Sequence, residues 1–273
     1  MLEGAIMLKE RAFVIICLLL FVLLLSGFRS IEDLKSELDN LVAVAEETKD
    51  PQTMEIAAFL QNNAIMAEPN EKGIRILEES KDGNWVAVVS LLEKDGETGE
   101  HWKGILNVNS AANFLFEIRT IVLKNGNFGP TGKAIVLLHE GFHALSFARE
   151  PYEEREEKEF CLEEVAAHTF QNKLMLLLGK EKYQRLLEKE VCRMEKEAKS
   201  LGGKPGDAIP GLLENPELAE IFGNPVSENE SDFIQTNFWI HAAFVFIEKN
   251  YKGDVKMQKA AFLQALYEQE GVL

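Results

Sequence analysis

The sequence predicts an α+β fold in 273 residues. A small β-sheet is expected in the N-terminal half, then one central helix that carries the candidate site, then a mainly helical C-terminal subdomain. A transmembrane helix is expected in front of them. Three observations predict this arrangement. An uncharged run spans Ala12–Phe28, and runs rich in Ile, Val and Trp occupy Gly73–Glu78, Trp85–Leu92 and Trp102–Val108. From Pro151 onward the apolar spacing is helical almost throughout. The expected boundaries are 1–30 for an N-terminal membrane anchor or signal segment, 31–66 for a juxtamembrane helical region, and 67–273 for the domain with the site.

Ala12–Phe28 as a helix is about 26 Å long at about 1.5 Å per residue, close to a hydrocarbon core of about 30 Å. It is apolar on every side, which a core helix of a small domain is not. No small-x-small pattern follows it (Leu24-Leu25-Ser26-Gly27), so an anchor fits better than a cleaved signal. Lys9 and Arg11 precede the run and Arg29 follows it. That balance puts the N-terminus inside and the domain on the extracytoplasmic side, or secretes the domain if the segment is cleaved.

Ile31, Leu34, Leu38, Leu41 and Ala45 recur at three and four, giving an amphipathic helix that packs on the domain or forms a stalk. Asp50-Pro51 breaks it and restarts a helix through about Gln61. Trp85–Leu92 and Trp102–Val108 flank the turn residues Lys94–Gly99, which suggests a hairpin. Ser110 is placed to cap a helix to about Leu123, and Thr131 to cap the central helix. Beyond Pro151, one helix covers Glu153–Leu178 up to Gly179 and another Glu181–Ser200. An irregular stretch with a short helical piece near Glu217–Ile221 follows, then helices over Phe233–Lys249 and Val255–Gln269.

The net charge is −16, and residues 1–30 contribute +1, from Lys9, Arg11 and Arg29 against Glu3 and Glu10. A domain so acidic is a poor candidate for phosphate-backbone binding, so no nucleic-acid partner is expected. Cys17, Cys161 and Cys192 include no C-x-x-C pair, so no thiolate metal site is indicated.

The chemistry lies in His139-Glu140-Gly141-Phe142-His143, an H-E-x-x-H pattern within the apolar stretch Ala134–Phe147. Histidines four apart on a helix share one face, with side-chain roots about 5–6 Å apart. Both imidazoles then reach one tetrahedral zinc ion. Glu140 flanks that face, where a general base takes the proton of a zinc-activated water. Zinc needs a third protein ligand. Ser146 and Arg149 stand where the extended pattern H-E-x-x-H-x-x-G-x-x-H has glycine and histidine, so that pattern fails. The helix that follows offers Glu163 and Glu164. His168, one turn beyond Glu164, either steadies a ligand or serves as the third ligand itself.

Glu164, Ala167, Phe170, Leu174 and Met175 resemble the E-x-x-A-x-x-F…L-hydrophobic helix of the ImmA/IrrE-like metallopeptidases, within the gluzincins. The resemblance covers His139–Met175. It implies a zincin-like metallopeptidase domain, a Zn2+ cofactor, and His139, His143 and Glu164 as metal ligands. Glu163 fits the shorter spacing of thermolysin-like enzymes instead, without their acidic residue at +4.

The expected activity is zinc-dependent peptide-bond hydrolysis by a membrane-anchored metalloprotease acting on a peptide or protein substrate, with Glu140 as general base. Trp102–Val108 is the expected edge for binding an extended peptide. His241 is a candidate transition-state donor, although a half-buried helix histidine explains it more simply. The competing readings are an inactive or sensory zinc protein and a metal-free, membrane-anchored helical interaction protein.

Overall fold

The structure, a computed structural model, describes residues 31–70, 73–77, 85–91, 112–124, 128–150, 157–200, 216–222 and 228–250. Its elements are α1 (Ile31–Thr48), α2 (Pro51–Asn63), β1 (Ala64–Asn70), β2 (Gly73–Ile76), β3 (Val86–Leu91), β4 (Ala112–Leu115), β5 (Thr120–Lys124), α3 (Pro130–Arg149), α4 (Glu157–Ser200), α5 (Pro216–Phe222) and α6 (Glu228–Asn250). A short 3-10 turn, Phe116–Ile118, joins β4 to β5. The unit Glu37–Leu273 holds everything described below.

Among the described residues, helices and a five-stranded sheet make an α+β architecture, with strand order β2-β1-β3-β5-β4. β3 runs parallel to both β1 and β5, while β2 and β4 are antiparallel to their neighbours. Ile65, Ala67, Ala87, Val89 and Val122 pack as one core cluster. The alternate residues Met66, Val88 and Ile121 are buried as well. Strands covered on both faces read as continuous apolar runs, which is what Val86–Val89 and Ile121–Leu123 are.

Two expectations are corrected here. The helix expected from Ser110 to Leu123 is instead β4, the 3-10 turn and β5. Its apolar spacing satisfies either period, but Thr120, Ile121 and Val122 are a β-branched run that finds ladder partners on two sides. Arg119, at φ 48°, interrupts any continuous helix. The expected transmembrane helix is the second correction. Among the described residues no helix is long and apolar enough to cross a membrane. The longest, α4, has 44 residues and carries charges through most of its turns. Ala12–Phe28 lies outside the described residues, as do Trp102–Val108 and Val255–Gln269.

The helices that position the site are fixed by local chemistry. Asp50 caps α2, accepting from Thr53 N at 3.1 Å and Thr53 Oγ1 at 2.9 Å. It is also ion-paired with Lys173 of α4. Burial works against its charge, but these partners together hold the Asp50 carboxyl below its usual range. Gly129, not Thr131, is the N-cap of α3, with Pro130 in the first turn and no side-chain cap. Proline has no N–H to leave unsatisfied there. α4 turns at Lys180 (φ 52°), so it is two helical segments that meet where Gly179 was expected to stop the first.

α2 lies against the middle of α3. A Cβ on Gly141 would come within 2.7 Å of Leu60 Cδ1 and 2.8 Å of Ile56 Cγ2. Glycine at the first wildcard of the H-E-x-x-H run is therefore what lets the two helices approach. Gly141→Leu is expected to cost about 1–3 kcal/mol by overpacking. Urea denaturation reads this as a lower midpoint with an unchanged slope.

Candidate metal centre

α3 carries His139 and His143 one turn apart, with ring centroids 5.2 Å from each other. The first half of α4 crosses them. Phe142 stacks on Phe170 at 5.7 Å and 25°, and the small Ala167 is fully buried where the helices meet. This contact brings Glu164 over both imidazoles. Its carboxylate lies 3.7 Å from His139 Nε2 through Oε1 and 3.2 Å from His143 Nε2 through Oε2. One ligand atom from each of His139, His143 and Glu164 lies within 4.8 Å of the others.

Those spacings can be tested against an ion. Zinc bonds of about 2.0–2.2 Å in a tetrahedral shell put neighbouring donor atoms about 3.4 Å apart. The two separations, one to each oxygen of Glu164, lie on either side of that value, so the donor types and their spacing are compatible with zinc. His139 is 8% exposed, whereas the Glu164 side chain is 37% exposed, so the cluster opens to solvent on the Glu164 side.

Glu163 occupies a different place from its neighbour. It lies 2.9 Å from His143 Nδ1, the nitrogen facing away from Glu164, and accepts from Ser146 Oγ at 3.1 Å. A carboxylate on Nδ1 fixes the tautomer that leaves the Nε2 lone pair for a metal. His168 reaches Glu164 Oε1 with Nε2 at 3.3 Å, and its ring lies 4.9 Å from that of His139. Of the sequence candidates, His139, His143 and Glu164 converge. Glu163 and His168 each brace one member of that trio, and Glu140 lies beside it.

The electrostatics follow from burial and proximity. Burial pushes the Glu140 carboxyl up, opposed by the nearby His139 and His143 and by a backbone hydrogen bond from Phe114 of β4. Burial opposes protonation of His143, yet its bonds to Glu163 and Glu164 raise it to about 10. Burial would also raise Glu164, but bonds from His139, His143 and His168 hold it well below the carboxylate range. Burial lowers His168, with Glu164 opposing.

Sequence reasoning missed Phe114, whose backbone anchors the candidate base. The spacing around it predicts a helix, and no local pattern announces that contact. The pairing of Ser146 with Glu163 was visible only as spacing, since Ser146 lies three residues past His143.

His241 of α6 belongs elsewhere. Its Nδ1 is hydrogen-bonded to the Tyr183 hydroxyl at 2.9 Å, and Phe222 and Phe238 pack on the same tyrosine. Burial pushes His241 down to about 4. A depressed folded-state value means that the unfolded chain takes up its proton first. The stabilisation is complete above the unfolded value of about 6.5 and is lost as pH falls towards 4, about 3 kcal/mol at about 1.4 kcal/mol per unit. His241→Phe is expected to flatten that part of the profile, as read by urea unfolding at pH 7 and pH 4.5.

No family model, curated protein or solved structure matches this chain.

Proposed function

We propose that this protein is a zinc-dependent peptide hydrolase. The observation that carries the proposal is the convergence of two imidazoles and one carboxylate, with one ligand atom from each within 4.8 Å of the others and a buried glutamate beside them. In this reading His139, His143 and Glu164 hold the ion. Binding would release the Nε2 proton of His143, and two neutral imidazoles and one carboxylate would then leave a net charge of about +1. When bound, zinc supplies a Lewis acid that polarises the scissile carbonyl and makes water nucleophilic near neutral pH.

The remaining chemistry belongs to the chain. Glu140 takes a proton from the attacking water and passes it to the leaving amine. Its burial raises its proton affinity towards the range that such a shuttle needs. The Phe114 N–H holds the carboxylate of Glu140 in one orientation. Glu163 keeps His143 in the tautomer that presents Nε2, and His168 steadies Glu164.

β4 is one of the two terminal strands of the sheet among the described residues, and it packs against α3. In this reading an extended peptide adds along that edge as a further strand, while the expected edge Trp102–Val108 lies outside the described residues. A substrate strand there passes directly by Glu140, because Phe114 belongs to β4.

The test is metal analysis of protein purified without added zinc, combined with casein digestion. The expected result is about one zinc per chain and digestion that a chelator abolishes and zinc restores. A folded protein that takes up no zinc overturns the proposal.

A further inference from the structure

A cavity of about 50 Å³ lies beside this centre, bounded by Trp85, Phe114, Arg119, Ala144, Phe147 and Ala148. Its position follows from α3. Ala144 and Ala148 continue the four-residue stripe of Glu140, and Phe147 continues that of His139 and His143. At about 1.5 Å per residue the cavity lies about 6–12 Å along the helix from the candidate base. Two alanines one turn apart make the hollow, and Phe114 closes it from the same edge strand that holds Glu140.

Arg119 supplies the charge. Its guanidinium lies 5.8 Å from the ring centroids of both Trp85 and Phe147, a cation placed against two aromatic rings. Its backbone is pinned as well. Arg119 N–H bonds to Phe116 O at 3.3 Å, and its carbonyl accepts from Ala87 N at 2.9 Å. The residue sits at φ 48°, a conformation that is costly for any side chain with a Cβ and that glycine would relieve. A fixed cation thus lines a hollow next to the centre in a chain of net charge −16.

We propose that this cavity is a substrate subsite for a carboxylate close to the scissile bond, with Arg119 as the residue that sets the preference. The proposal rests on reading the neighbouring centre as a hydrolase. A guanidinium carries five N–H donors, so Arg119 has donors to offer a carboxylate in addition to the partners it holds within the chain. At about 10–15 Å³ for each water-sized occupant, the cavity takes about three to five heavy atoms. That suits the end of an Asp or Glu side chain, or the terminal carboxylate of a peptide, and excludes an aromatic ring.

The probes are alanine-based decapeptides, acetylated and amidated, with a single Glu or Gln walked along the chain. A further all-alanine decapeptide has a free C-terminal carboxylate. Binding is measured to zinc-loaded Glu140→Gln protein, so that no turnover intervenes. At one position Glu is expected to bind about ten- to a hundredfold more tightly than Gln. Arg119→Gln erases the difference, Arg119→Lys keeps part of it, and Ala148→Leu, which fills the hollow but leaves the arginine, erases it again. Tighter binding of the free-acid peptide alone assigns the subsite to a chain terminus. Equal binding of all peptides, or a preference that survives Arg119→Gln, overturns the subsite. The wild-type protein separates the two readings. Cleavage without any carboxylate preference keeps the hydrolase and removes the subsite. An Arg119-dependent preference without any cleavage does the reverse.

Discussion

Glu140→Gln is expected to lower peptide hydrolysis by about a hundred- to ten-thousandfold and to leave zinc content unchanged. Glu140 is 7% exposed and is not among the three groups whose donor atoms converge. Its loss therefore removes no ligand. Glutamine has the same shape and keeps a carbonyl oxygen for the Phe114 N–H, so β4 and α3 stay joined. The amide cannot accept the proton of water, and the shuttle stops there. Neutralising a buried carboxylate also removes its desolvation penalty, so stability should hold or rise slightly. Turnover of a quenched peptide, zinc content and a melting curve are the three readouts. Activity equal to wild type would remove Glu140 from the mechanism. Zinc bound by a wild-type protein that cleaves no peptide would make this a sensory or inactive zinc protein instead.

Glu164→Ala should abolish zinc binding at concentrations that saturate the wild type, whereas Glu163→Gln and His168→Ala should each weaken it by about 10–100-fold. The two adjacent glutamates differ in what they face. Glu164 spans both Nε2 atoms, while Glu163 meets His143 on Nδ1. Removing the first takes away a donor, and removing the second leaves three donors and a less firmly oriented imidazole. Glutamine at position 163 keeps an oxygen for His143 Nδ1–H, so its cost comes from the lost charge rather than from lost contact. Competition with a chromophoric chelator at pH 7 gives the three affinities. If Glu163 proved the costlier of the pair, the ligand assignment would be exchanged.

The site was legible to the extent that it depended on helix periodicity. His139, Glu140 and His143 needed only the rule that residues four apart share a face, and Glu164 needed a crossing helix with a small residue at Ala167. The third position was harder. Glu163 and Glu164 point about 100° apart around a helix axis, and sequence alone does not say which direction faces α3. The sheet was partly legible. The β2 and β3 regions announced themselves, whereas β1, β4 and β5 did not. β1 begins immediately after α2 with no turn residue between them, and β4–β5 has apolar positions that satisfy both periods. Pairing with distant strands decides such segments, and that information is not local. The close approach of α2 to Gly141 was equally hidden, because a glycine inside a helix does not name the chain that needs the room.

The uneven exposure of the cluster has a kinetic consequence. Both imidazoles are anchored inside, while the carboxylate of Glu164 borders solvent. An ion would therefore arrive and depart past Glu164, whose carboxylate would have to turn away from His168 while the histidines stay in place. Exchange would then be governed by one side-chain rotation rather than by opening of the helices, so stripping by a chelator should be fast even under conditions where the fold is very stable.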